Sequence, residues 1–179
     1  KEAATKGYQV ILSNGYYIDL SQPTWQHYAN DPLPASLGLT PDQQRMVLGG
    51  EATMWAELVT PETIDSRIWP RTAAIAERLW SDASVNDVMD MYQRLETVSI
   101  RLEEVGLTHI RNRDVMLRRL APGRDIEPLA KLVAVVEPLK EYKRHAQGIP
   151  YSTDLPFSRL PDIAVPDAPT ARKFRLLCE

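Results

Sequence analysis

The chain has 179 residues, of which 44% are hydrophobic and 25% charged, enough for one domain with its own core and typical of a globular protein. A net charge of −3, with no Lys/Arg run alternating with aromatics, leaves no electrostatic footprint for nucleic acid, and no apolar stretch is long enough to cross a bilayer. Cys178 is the single cysteine, which excludes an internal disulfide and a cysteine-based metal cluster, and His27, His109 and His145 lack metal-ligand spacing.

In chain order, Lys1 to Gly7 opens without Met and reads as the end of a helix closed by glycine, which places the natural N-terminus upstream. Tyr8 to Ser13 is short and β-branched and is bounded by Asn14-Gly15, the pattern of a buried strand. Tyr16 to Leu20 continues from its C-terminal end. Residues 21–38 are rich in turn formers and prolines, so they are expected as a long ordered loop anchored by Trp25 and Tyr28. Thr40-Pro41 starts a helix, with threonine as cap and proline at the first position. Met46 to Gly50 is a second short buried strand, Thr60-Pro61-Glu62 opens another helical turn, and Pro70 to Trp80 is an alanine-rich helix suited to close approach to a sheet. Alternation of strand, loop and helix is the pattern of a parallel α/β protein.

The pattern changes after Ser81. Ser84 and Asp87 resemble a capping pair, and Val88, Met91, Tyr92, Leu95, Val98, Leu102 and Val105 form one helical stripe ended by Gly106. A shorter helix is expected over Asp114 to Leu120. Leu129, Leu132, Val133, Val136, Leu139 and Tyr142 make a further stripe, which Pro138 should kink or interrupt. From Gly148 to Pro169 five prolines oppose regular structure, giving an extended arm packed by Tyr151, Leu155, Phe157 and Leu160. Ala171 to Glu179 reads as a helix.

Two pairs of side chains stand out for chemistry. Tyr17 and Asp19 follow the first strand two residues apart, and Trp55 and Glu57 follow the second with the same spacing. Spacing two puts each pair on one side of an extended segment, and neighbouring parallel strands end side by side. A tryptophan face suits the C–H side of a sugar ring and a carboxylate accepts from vicinal hydroxyls. Two other readings stay open at this point. The aromatics could be core residues beside solvated acids, or Asp19 and Glu57 could be the acid and nucleophile of a retaining glycosidase. Glu51, Arg71, Glu77 and Arg78 sit among apolar residues and are read as structural charge-assisted bonds. Trp69 and Trp80 are read as packing residues, and Trp25 as an anchor for its loop rather than a second sugar subsite. The stretch Arg111-Asn112-Arg113 with Arg118-Arg119 is read as a solvated face.

Three ordered motifs carry a resemblance: Tyr17-Ile18-Asp19, Gly49-Gly50-Glu51-Ala52-Thr53-Met54-Trp55-Ala56-Glu57, and Trp69-Pro70-Arg71 through Glu77-Arg78-Leu79-Trp80-Ser81. In this order and spacing they resemble the C-terminal part of glycoside hydrolase family 20, the β-N-acetylhexosaminidases. Residues 1–82 carry the likeness closely, and the remainder is similar to the C-terminal tail of bacterial members.

The resemblance implies the last strands and helices of a (β/α)8 TIM barrel in residues 1–82, a mainly helical extension in residues 83–148, and a proline-rich arm with the start of a helix in residues 149–179. It further implies that Tyr17 donates to the carbonyl oxygen of the substrate's 2-acetamido group, that Trp55 stacks on the sugar, and that Asp19 and Glu57 bind its outer hydroxyls. Family 20 hydrolysis is substrate-assisted and needs no metal or organic cofactor. Its Asp-Glu pair belongs to an earlier strand, and no Asp-Glu dipeptide preceded by Gly-Gly occurs here. The expectation is therefore part of a sugar-binding wall without the acid that cleaves. The implied partners are an N-acetylhexosamine-containing glycan and the remainder of the barrel, or a second copy, over the exposed strand edges. The implied location is periplasmic or extracellular.

Overall fold

The computed structural model describes residues 1–149 and 159–178. The expected helix at the start is α1 (Glu2–Thr5), and the two expected strands form as β1 (Val10–Leu12) and β2 (Val47–Gly50). They pair in parallel, Val10 with Val47, Ile11 with Gly49 and Leu12 with Gly50, which leaves Leu48 as an extra residue on β2. The described residues contain this two-stranded sheet and no closed barrel. Leu12, Tyr16, Ile18 and Met54 turn inward and pack with Ile68, Ile75 and Leu79, so the sheet is covered on one face by helices. Ile11 and Leu48 are exposed.

Gly50 is demanded by this packing. A Cβ there would lie 2.6 Å from the ring of Tyr16, a fully buried side chain whose hydroxyl donates to the Asn30 carbonyl at 2.9 Å. The ring is pinned at both ends and cannot retreat, so Gly50→Ala is expected to destabilise the chain by about 1–3 kcal/mol. Urea unfolding measures it, and an unchanged midpoint would mean that the Tyr16 ring moves freely. Gly49 has φ +139°, a conformation that side chains avoid.

Residues 21–38 are not the continuous loop expected. A helix, α2 (Thr24–Ala29), forms between Pro23 and Pro32 and buries His27 and Tyr28. Six residues make a helix too short to stand on propensity, so tertiary burial must stabilise it. Tyr28 is the anchor: it packs with Ala74, Met91, Tyr92 and Leu95 and donates to Glu77 at 2.7 Å. Trp25 remains 45% exposed and is no anchor.

Thr40 caps α3 (Pro41–Gln44) in a full capping box. After β2 come α4 (Ile64–Ile68) and α5 (Arg71–Trp80). Trp80, expected to pack, is 91% exposed at the end of α5. The long stripe forms α6 (Val88–Glu104), but its cap is Asp87, which accepts from Asp90 N at 2.8 Å, while Ser84 bonds Asp82 instead. Helix α7 (Arg111–Leu120) begins earlier than expected because the Glu103 carboxylate accepts from the Ile110 and Arg111 N–H groups. Helix α8 (Glu127–Val133) stops short of Pro138, whose ring would meet the carbonyl four residues back, and the chain resumes as α9 (Lys143–Ala146). The expected arm residues Tyr151, Leu155 and Phe157 lie outside the described residues. Leu160 opens α10 (Leu160–Ile163), and α11 (Pro169–Cys178) follows it.

Candidate functional site

Parallel pairing continues past the strands and aligns the two motifs. Tyr17 is bridged to Thr53, with Ile18 N donating to Thr53 O at 2.9 Å and Thr53 N to Tyr16 O at 3.0 Å. Tyr16 and Ile18 point into the core with Met54, so alternation turns Tyr17 to the other side, with Trp55 next to Met54 doing the same. The chain then tightens into 3-10 turns, Ile18–Leu20 and Ala56–Leu58, which carry Asp19 and Glu57.

Asp19, Trp55 and Glu57 come together. Burial pushes the Asp19 carboxyl above the usual carboxylate range, its own backbone N–H opposes this, and the nearby Glu57 charge adds to it. The Trp55 backbone N–H and the Arg71 charge pull the other way. Asp19 Oδ1 is buried and has no hydrogen-bond partner among the described residues. A buried acceptor left open is costly unless something fills it. Trp55 presents an indole that is 55% exposed, and Glu57 is exposed. Tyr17 is half-buried at the start of the same turn. The arrangement can therefore accept hydrogen bonds from a polyol edge beside an aromatic plane.

The charged residues read as structural divide by burial. Arg71 is fully buried, donating to Ile18 O at 2.7 Å, Gln22 O at 2.9 Å and the Arg67 carbonyl. Burial, with Arg67 next to it, lowers its pKa to about 9, so the guanidinium keeps its charge near neutrality. Glu77 pairs with Arg94 at 2.6 Å, and Arg78 pairs with Asp31 at 3.1 Å. Glu51 is exposed and accepts from Ser13 at 2.5 Å.

A cavity of about 420 Å³ lies elsewhere, between α6, α7 and the segment before α11, and none of the four site residues lines it. Its wall holds a Ser99–His109 contact of 2.8 Å, with Glu103 3.6 Å from the other ring nitrogen. Glu103 is already committed to the α7 N–H groups, and 3.6 Å is too long to orient an imidazole. We read this trio as a joint between α6 and α7.

Sequence reasoning singled out the four side chains but not the groups that bond the turn carrying Asp19. Lys140 and Glu141, far along the chain, bond the turn that carries Asp19; no local pattern pointed to that contact.

Fold and site together define a parallel α/β protein with polar and aromatic groups gathered beyond the C-terminal ends of its strands, the place where such folds carry their chemistry. Residues 1–83, a little under half of the chain, match the family model for the catalytic domain of glycosyl hydrolase family 20. It is similar to human beta-hexosaminidase subunit beta, 39% identical over 104 residues that make up 56% of this chain and 18% of that protein. It is also similar to beta-hexosaminidase subunit A1 of Dictyostelium discoideum, 37% identical over 112 residues, covering 56% of this chain and 20% of the relative. The crystal structure of Flavobacterium johnsoniae chitobiase superposes with a TM-score of 0.91 at 51% identity, over 97% of this chain and 26% of that one. The helical extension thus falls within the likeness. The chain spans about a fifth of the length of these curated relatives.

Proposed function

We propose that this chain is the C-terminal part of an exo-acting β-N-acetylhexosaminidase that removes terminal N-acetylglucosamine or N-acetylgalactosamine by substrate-assisted, retaining hydrolysis. Residues 1–82 supply the last βα units of its (β/α)8 barrel, residues 83–148 a helical extension, and residues 149–179 a proline-rich arm and the start of a helix. The observation that carries the reading is the open Asp19 oxygen beside Glu57 and the exposed Trp55 indole. In this reading Asp19 and Glu57 accept from the outer hydroxyls, Trp55 stacks on the ring, and Tyr17 donates to the acetamido oxygen as that oxygen attacks the anomeric carbon. The proton for the leaving group comes from an acid that this chain does not contain. The remainder of the barrel, or a second copy, covers the free edges of β1 and β2 and the exposed Ile11 and Leu48. The parent works in the periplasm or outside the cell.

The purified chain is expected to leave an aryl N-acetyl-β-glucosaminide uncleaved, because its sequence holds no Gly-Gly-Asp-Glu run to supply a general acid next to an acetamido-orienting Asp. Turnover that Glu57→Gln abolishes would overturn this and favour Asp19 and Glu57 as a catalytic carboxylate pair. The absence of a Gly-Gly-Asp-Glu run also favours a second reading, a non-catalytic carbohydrate-binding module built on the same scaffold. The coding sequence upstream of Lys1 separates the two: a Gly-Asp-Glu motif there supports the enzyme.

A further inference from the structure

The turn that carries Asp19 is held from outside. Arg71, at the start of α5, donates to the carbonyls of Ile18 at 2.7 Å and Gln22 at 2.9 Å. From the helical extension, Lys140 Nζ donates to the Ser21 carbonyl at 3.0 Å and Glu141 N to the Leu20 carbonyl at 2.7 Å. Four of the five carbonyls from residue 18 to 22 thus accept from groups outside the turn. Lys140 is itself steered by Glu137 at 2.9 Å and by the Pro166 carbonyl at 2.6 Å. On both sides of this contact the backbone is in the left-handed region without glycine, Ser21 with φ 55° and Glu141 with φ 56°. Such conformations cost energy and persist only where their surroundings over-determine them. The Asp19 carboxylate is bonded by its own backbone N–H and by that of Trp55, and its Oδ1 is left open. The position of its carboxylate therefore depends on the backbone of the turn together with that of Trp55.

We infer that Arg71 and Lys140 act as a cationic clamp, positioning residues that fix Asp19 for substrate, so that the helical extension is a working part of the sugar site. The inference rests on the proposed role of Asp19 in accepting from a sugar hydroxyl. Lys140 is the informative position to change, because it is partly exposed whereas Arg71 is fully buried. Lys140→Met keeps most of the stem and removes the charge.

In the full-length enzyme that carries this chain, Lys140→Met is expected to raise KM about five- to tenfold with little change in kcat, since it loosens uniform binding rather than the chemical step. Lys140→Arg should recover most of the loss. In an Asp19→Asn background, Lys140→Met should add almost nothing, because the clamp acts through Asp19. Val133→Ala, in the buried core of the extension, should lower the melting temperature and leave KM alone, which separates positioning from general loosening. A wild-type KM for Lys140→Met, or the same rise with and without Asp19, overturns the clamp. A wild-type KM for Asp19→Asn alone overturns the assignment of Asp19 on which the clamp rests.

Discussion

Replacing Tyr17 with Phe in the full-length enzyme is expected to raise the barrier by on the order of 2–4 kcal/mol, a loss of about 30-fold or more in kcat. The substitution removes a hydroxyl and keeps the ring, so the bridge to Thr53 and the packing of the turn survive. The proposed bond from Tyr17 to the acetamido oxygen positions that oxygen as a nucleophile, and its value is greatest during attack. The loss should therefore fall on kcat more than on KM. Trp55→Ala is the contrasting case. Its exposed indole is proposed to stack on the ring before and during reaction, so its removal should raise KM as well. Steady-state kinetics of both variants decides between the roles, and a Tyr17→Phe enzyme with wild-type kcat would make Tyr17 a packing residue.

Acid is expected to destabilise the fold through His27, by about 3 kcal/mol between pH 6.5 and pH 4. The imidazole is fully buried in α2. Its Nδ1 lies 2.8 Å from the Gly15 carbonyl, which makes Nδ1 the protonated nitrogen of a neutral ring, and its Nε2 is buried without a partner among the described residues. Burial lowers its pKa from 6.5 to about 4; the Gly15 bond opposes this, the Arg71 charge adds to it, Asp167 opposes it, and Lys140 adds to it. Above pH 6.5 the ring is neutral whether folded or unfolded, and the native state suffers no penalty. As pH falls from 6.5 to 4 the unfolded chain takes up a proton that the folded chain refuses, so stability is lost across that window and levels off below it. His109 is also depressed by burial and shifts the balance in the same direction, so a variant is needed to separate them. His27→Asn keeps a donor near the Gly15 carbonyl and cannot titrate. Urea midpoints at pH 7 and pH 4.5 should diverge strongly for the natural chain and much less for His27→Asn. Equal pH dependence in the two would place the acid sensitivity elsewhere.

Local sequence determined those features whose physics is short-ranged. The β-branched runs around Ile11 and Val47 specify strands, Thr40-Pro41 specifies a capped helix start, and the apolar stripe from Val88 specifies a long helix. Each depends on residues within a few positions of one another. The facing of Tyr17 and Trp55 after their strands was legible for the same reason, whereas Asp19 and Glu57, which sit in 3-10 turns, were marked by the motifs around them rather than by alternation. Helix α2 was not legible, because Pro23 and Pro32 read as loop while the burial of Tyr28 against Ala74 and Met91 decides the matter. Nor was the cap of α6, where Ser84 and Asp87 are both chemically able and only Asp87 stands where Asp90 N needs it. Trp80 went wrong in the opposite direction: it reads as a packing residue and stands 91% exposed at the end of α5. The support of Asp19 by Lys140 joins positions more than a hundred residues apart. Sequence alone determined which side chains stand past the ends of β1 and β2. Only the tertiary structure decided what holds them there, because a turn whose carbonyls must be satisfied from outside takes its partners from whatever the fold brings near.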